Sequence, residues 1–247
     1  MCGIAGYINL NSKPIKDTSI ILNMLRAQKH RGPDDSGINA FSLYSRESIS
    51  IEPDKIHSLS NGFEGILGFN RLSILDLSKN GHQPMASPDG RVILMLNGEI
   101  YNAFDYTKEL IQWGYRFKST TDTEVVLALY LKYGFEEMLM KLNGMFSIVI
   151  TDLTKRTLYI TRDRFGIKPM YYINSGEYFA FSSELKSFRF LDEFKFQLNE
   201  ENIDEFLIFR NNLKGTLFSG IHELAPGYSL VYQPGKPLLK SPGRSSW

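Results

Sequence analysis

The chain holds one cysteine and four histidines in 247 residues. A single cysteine excludes an internal disulfide framework and any Cys-rich zinc site. His30, His57, His82 and His222 are scattered, with no HxxxH pair among them. Excess charge of one sign is also missing: 28 Lys+Arg stand against 27 Asp+Glu, a net charge of +1. That balance argues against a chain-wide footprint for nucleic acid or an anionic membrane. No apolar run reaches the roughly 18 residues that suggest a membrane span. No basic stretch precedes an apolar core in MCGIAGYINL, so a signal peptide is not expected there. Gly62-Phe63-Glu64-Gly65 lacks the Lys-Ser/Thr of a P-loop, and no repeat or low-complexity segment is visible. The rest, 43% hydrophobic and 22% charged, is ordinary globular composition. The length suffices for one large domain or two small ones with a proper core. The expectation is a soluble, cytoplasmic protein of mixed α and β structure.

Short β-prone runs dominate what is there. Ile4–Asn9, Gly37–Tyr44, Gly65–Ile74, Arg91–Asn97, Met145–Thr151, Thr157–Arg162, Pro169–Ile173 and Tyr178–Ser182 read as strands. Asp17 can cap a helix carrying Ile20, Ile21, Met24 and Leu25 on one face. Thr121-Asp122-Thr123-Glu124 has the form of a capping box ahead of Val-Val-Leu-Ala-Leu-Tyr-Leu. Helical spacing also covers Asn102–Gly114, and a short helix follows Ser183. Residues 45–62 read as an exposed loop or hairpin excursion. Turns of a few residues between strands favour antiparallel sheets, and two such sheets covered by helices satisfy the pattern. From Asn199 onward, a helix to Phe209 gives way to Pro226, Pro234, Pro237 and Pro242, which reads as a linker leading elsewhere.

Four places carry chemistry. Cys2 follows the initiator Met1, and removal of Met1 leaves a thiol and a free α-amine on one residue. Their reference pKa values, about 8.5 and about 7.7–8.0, suit a nucleophile and its base. The bland alternative is an inert cysteine beside a strand. Asn97-Gly98-Glu99 ends an apolar strand and offers a side-chain amide and a backbone N–H, the donors of an oxyanion hole. Asn-Gly is equally a hairpin turn. Arg71 can meet a carboxylate with its planar fork, or form a structural ion pair. Asp122 can bind an ammonium, or simply favour a helix dipole.

Taken together, these pieces resemble the glutaminase domain of class II glutamine amidotransferases, and within them that of the asparagine synthetases. The resemblance runs from Cys2 to about Phe188, with a weaker echo to about Tyr232. Its landmarks are Met1–Gly6, His30–Asp34, Asn70–Asp76, Gly81–Met85, Asn97–Asn102, Thr121–Glu124, Gly144–Phe146, Arg162–Pro169 and Ser182–Lys186. It implies an N-terminal-nucleophile hydrolase fold, an α+β sandwich of four αββα layers with two antiparallel sheets between helices. It implies a glutaminase domain over residues 2–188 and, over 189–247, an extension toward a synthetase domain outside this chain.

By the same resemblance Cys2 is the nucleophile and L-glutamine the substrate. Asn97 and the Gly98 N–H form the oxyanion hole, and Arg71 grips the α-carboxylate. Glu99 and Asp122 surround the α-ammonium, while backbone groups at Leu72, Ile74 and Leu75 line the pocket. The glutaminase reaction needs no cofactor or metal. ATP and Mg are expected only with a synthetase half, whose Ser-Gly-Gly-x-Asp-Ser loop this sequence lacks. The partner is a synthetase domain or protein that receives ammonia. Nucleic acid and membrane are not expected as partners, and a homodimer stays open. Other readings keep the same chemistry with another ammonia acceptor, or make the chain a silent glutamine-binding or scaffold module.

Overall fold

The computed structural model describes residues 1–59, 62–192, 194–210 and 215–243. Alternation along single strands dictates its layers. Val92, Leu94 and Leu96 point one way, Ile93 and Met95 the other, and all five are buried. Such a strand needs a covering layer on each face.

Among the described residues the elements run β1 (Gly3–Asn9), α1 (Ser19–Ala27), β2 (Asp35–Ser42), β3 (Glu47–Ile51), β4 (Gly65–Arg71), β5 (Met85–Ala86) and β6 (Val92–Ile100). Then come α2 (Thr107–Gln112), α3 (Asp122–Lys141), β7 (Gly144–Asp152), β8 (Thr157–Arg162), β9 (Tyr171–Asn174) and β10 (Tyr178–Ser182). The chain continues through α4 (Ile203–Phe209), β11 (His222–Glu223), β12 (Tyr228–Tyr232) and β13 (Leu239–Pro242). The strands form two antiparallel sheets, ordered β11-β9-β10-β1-β4-β2-β3 and β13-β12-β8-β7-β6-β5.

Three apolar layers hold the sheets and helices together. Ile21, Met24 and Leu25 of α1 pack with Ala5, Ile38 and Ile66 on the outer face of the first sheet. Ile4, Ile8, Leu67 and Phe69 on its inner face meet Ile93, Met95, Val149 and Ile160 of the second sheet. Leu94, Leu96, Ile148 and Ile150 then pack under Val125–Tyr130 of α3. The order is helix, sheet, sheet, helix: the expected αββα sandwich. Among the described residues no helix is long and apolar enough to cross a membrane.

Several elements differ from the sequence reading. The strand expected over Gly65–Ile74 stops at Arg71, because the guanidinium folds the following loop around itself. The helix begun at Thr121 bends at Gly134, whose φ of 78° lies in the left-handed region. The capping box is half formed. Thr121 Oγ1 accepts the Glu124 N–H at 3.2 Å, but the Glu124 carboxylate takes the N–H groups of Lys118 and Ser119 instead of reaching back. Within residues 45–62, β3 pairs with β2, and buried Ile56 joins the outer core.

The expected boundary at 188 needs correction. Segment 189–247 does not simply lead away, since β11 pairs with β9 and β12 with β8. Leu224, Leu230 and Tyr232 are buried in the layer between the sheets. The prolines that suggested a linker fall between or at the ends of these short strands, where a missing N–H costs no ladder bond. Ser60, Asn61 and the tail Arg244–Trp247 lie outside the described residues.

Candidate active site

Period-two geometry brings the nucleophile, the amide and the guanidinium to one end of the gap between the sheets. Ile4 and Ile8 of β1 face the gap, so Cys2 shares their parity and packs against the inter-sheet layer. Leu67 and Phe69 face it from β4, which puts Arg71 on that side. Ile93 and Met95 face it from β6, which does the same for Asn97. The β1–β4 register pairs Gly3 with Asn70, so Cys2 falls level with Arg71.

A cavity of ≈ 120 Å³ opens there. All nine predicted site residues line it: Cys2, Arg71, Leu72, Ile74, Leu75, Asn97, Gly98, Glu99 and Asp122. No described residue of 45–62 lines it. The cavity is small, on a scale suited to an amino acid.

The Cys2 sulfur accepts the Leu72 N–H at 3.4 Å. Its backbone carbonyl accepts from Arg31 Nε at 2.8 Å, which fixes the strand end. Burial pushes the Cys2 thiol up, while the Leu72 N–H, the chain's amino terminus, Arg71 and Lys168 pull it back. A thiol held up in this way needs a base beside it. Met1 precedes Cys2 and lines the same cavity.

Asn97 is 1% exposed, and neither its Nδ2 nor its Oδ1 has a hydrogen-bond partner. The turn reading of Asn97-Gly98 fails, because β6 runs unbroken through both residues, pairing Asn97 with Ser147 and Gly98 with Phe146. A Cβ at 98 would lie 2.1 Å from the Met145 carbonyl oxygen, so the close pairing requires glycine there. Along the open edge of β6, beyond the reach of β5, backbone N–H groups recur every second residue. Gln83 Oε1 accepts the Leu96 N–H at 2.7 Å, and Asp122 Oδ2 accepts the Ile100 N–H at 3.0 Å. The Gly98 N–H lies between them on the same edge and faces the cavity beside the Asn97 amide.

Arg71 is buried, and its Nη atoms donate to the carbonyls of Leu75, Asp76 and Ser78 at 3.0, 2.5 and 3.2 Å. No carboxylate pairs with it among the described residues. Gly81 makes the space: a Cβ there would lie 2.0 Å from Nη2. Asp76 secures the loop, and bonds from Ser78 and Thr120 pull its carboxyl down to about 2. Asp122 is buried at the start of α3, and burial, helped by Glu99, pushes its carboxyl up. Glu99 itself is exposed. No cluster of three His, Cys, Asp or Glu suited to a metal exists among the described residues.

A buried cation without an acid stands near an unpaired amide and a cysteine at position two. A family profile described as "Glutamine amidotransferase domain" matches residues 1–241. The chain belongs to this family.

This amidotransferase domain is 37% identical over 219 residues to a protein of Methanocaldococcus jannaschii named putative asparagine synthetase [glutamine-hydrolyzing] 2, covering 83% of this chain and 38% of that protein. It is 30% identical over 236 residues to asparagine synthetase [glutamine-hydrolyzing] 3 of Bacillus subtilis, covering 94% of this chain and 35% of that one. The chain therefore spans little more than a third of these relatives. In fold it resembles the glutamine phosphoribosylpyrophosphate amidotransferase of B. subtilis, with a TM-score of 0.72 at 18% identity, covering 98% of this chain and 49% of that one.

The cavity also takes in Gln83, Thr121, Thr123 and Lys168, which sequence reasoning did not place in the site. Gln83 and Lys168 lie in two blocks that carried the resemblance, Gly81–Met85 and Arg162–Pro169. Gln83 bonds the β6 backbone and Lys168 enters from a loop distant in sequence, so residue type alone did not mark them.

Proposed function

We propose that the protein hydrolyses L-glutamine to L-glutamate and ammonia at Cys2, once Met1 is removed, and passes the ammonia to an acceptor-activating synthetase domain or partner. The observation that carries this reading is the pair of donors on β6, the unpartnered Asn97 amide and the Gly98 N–H, on a cavity shared with the sulfur. The freed α-amine takes the thiol proton. The sulfur then attacks the side-chain carboxamide carbon, and the carbonyl oxygen becomes an oxyanion facing Asn97 and Gly98. The amine returns the proton to nitrogen, ammonia leaves, and a thioester remains. Water attacks the thioester, its proton passes through the same amine, and glutamate is released with the thiol restored.

Arg71 receives the α-carboxylate, and Asp122 with Glu99 the α-ammonium. These charges at one end and the amide donors at the other favour glutamine over substrates that leave them unpaired. Asparagine formation, with ATP and Mg in the remaining part of a longer protein, is the acceptor reaction that the relatives' names support. Intact-mass analysis with a glutamine-shaped chloroketone tests the reading. We expect one adduct, on Cys2, in protein lacking Met1 and suppressed by excess L-glutamine. An unlabelled Cys2, or labelling that glutamine does not suppress, contradicts it.

A further inference from the structure

The block Arg162–Pro169 is a scaffold that delivers one side chain to the cavity. Asp163 gathers the N–H groups of Phe146, Phe165, Ile167 and Lys168 at 3.0–3.2 Å. Arg162 donates to the carbonyls of Lys168, Gly166 and Leu224 at 2.7, 2.6 and 2.6 Å. The Lys168 backbone is thus clamped on both sides: its N–H bonds to Asp163, and its carbonyl accepts from Arg162 and from Ser147 Oγ.

The Lys168 side chain is 7% exposed and lines the cavity with Cys2. Among the described residues its ammonium has neither a hydrogen bond nor an ion pair. Burying a cation without an acid is costly, and a lysine stem normally carries its head to water. Here the clamped backbone points it inward. The charged or titratable groups on the cavity are the chain's amino terminus, Cys2, Arg71, Glu99, Asp122 and Lys168 itself.

We propose that Lys168 is a positioning cation, the fixed counter-charge that favours the thiolate of Cys2. The inference rests on the glutaminase reading only for what that thiolate attacks. Two side-chain cations lower the Cys2 thiol, Arg71 and Lys168. Arg71 is neutralised once it holds a substrate carboxylate. Lys168 keeps its charge toward the sulfur through attack, thioester formation and release.

The test is direct because the chain has one cysteine, so alkylation reports Cys2 alone. Iodoacetamide alkylation is followed against pH without glutamine in wild type, Lys168→Met, Lys168→Gln and Lys168→Arg. We expect Met and Gln to slow alkylation at neutral pH by about 3–10-fold and to move its inflection upward, as loss of a nearby opposite charge does. Arg restores both. The Met variant keeps its Tm, because no hydrogen bond or ion pair of the side chain is lost. Its kcat for glutamine falls while KM holds. An unchanged inflection in both Met and Gln overturns the inference, whatever happens to turnover. A shifted inflection in a protein that releases no glutamate sustains the counter-charge and removes the glutaminase reading instead.

Discussion

Two buried polar groups near the cavity stand in contrast. Asp163 is fully buried and accepts four backbone N–H groups. Asn97 is buried almost as completely and bonds to nothing. The first uses burial to build structure: the Phe146 and Lys168 N–H groups it accepts are buried, and each would otherwise be an orphan costing about 1–3 kcal/mol. The second carries that cost in the resting protein, as active sites do when their donors are aimed at a charge that forms only during reaction. Under the proposed function the paired Asp163 carboxylate is scaffold, and the unpaired Asn97 amide, which lines the cavity, is the donor kept for the substrate.

The sharpest way to break this contrast is to truncate both. Asp163→Ala should lower stability by about 2–6 kcal/mol, since two buried N–H groups, of Phe146 and Lys168, lose their acceptor together. Asn97→Ala should change stability by less than about 1 kcal/mol, because no bond is lost. It should reduce kcat by about 10²–10³, the usual loss for one oxyanion donor. Urea unfolding and glutamate release on the same preparations check both. If Asn97→Ala is as destabilising as Asp163→Ala, the two sites are alike and the distinction fails.

A smaller effect sharpens the same idea at Asp122. Burial raises its carboxyl pKa, so folding disfavours its ionised form. The stability it withdraws at neutral pH returns as pH falls through the raised pKa. Binding an ammonium needs the carboxylate, so KM for glutamine should rise on acidification earlier than an ordinary carboxylate would require. Asp122→Asn keeps an oxygen for the Ile100 N–H. It should flatten that acid limb and raise KM at neutral pH by about tenfold, the worth of one charged hydrogen bond. An unaltered KM profile would take Asp122 out of the ammonium site.

Much of this was legible in the sequence, for reasons that differ by residue. The cysteine at position two and the ends of the apolar runs at Arg71 and Asn97 already marked the three candidates. Which sheets would stack, and at which end the three would meet, depended on long-range pairing that periodicity does not encode. Arg71 ended its strand three residues early because its charge organises the carbonyls of Leu75, Asp76 and Ser78, a tertiary effect that an apolar run conceals. Gln83 and Lys168 escaped notice because one supports the β6 edge and the other enters from a distant loop. The strands after 188 were masked by prolines, which looked like linker signals until β12 was seen paired to β8.

The central claim is most directly tested by glutamate release from L-glutamine, measured for the wild type and for Cys2→Ala after unfolding curves show both equally stable. The account predicts turnover in the first and none above background in the second. Equal glutamate release by the two would contradict it.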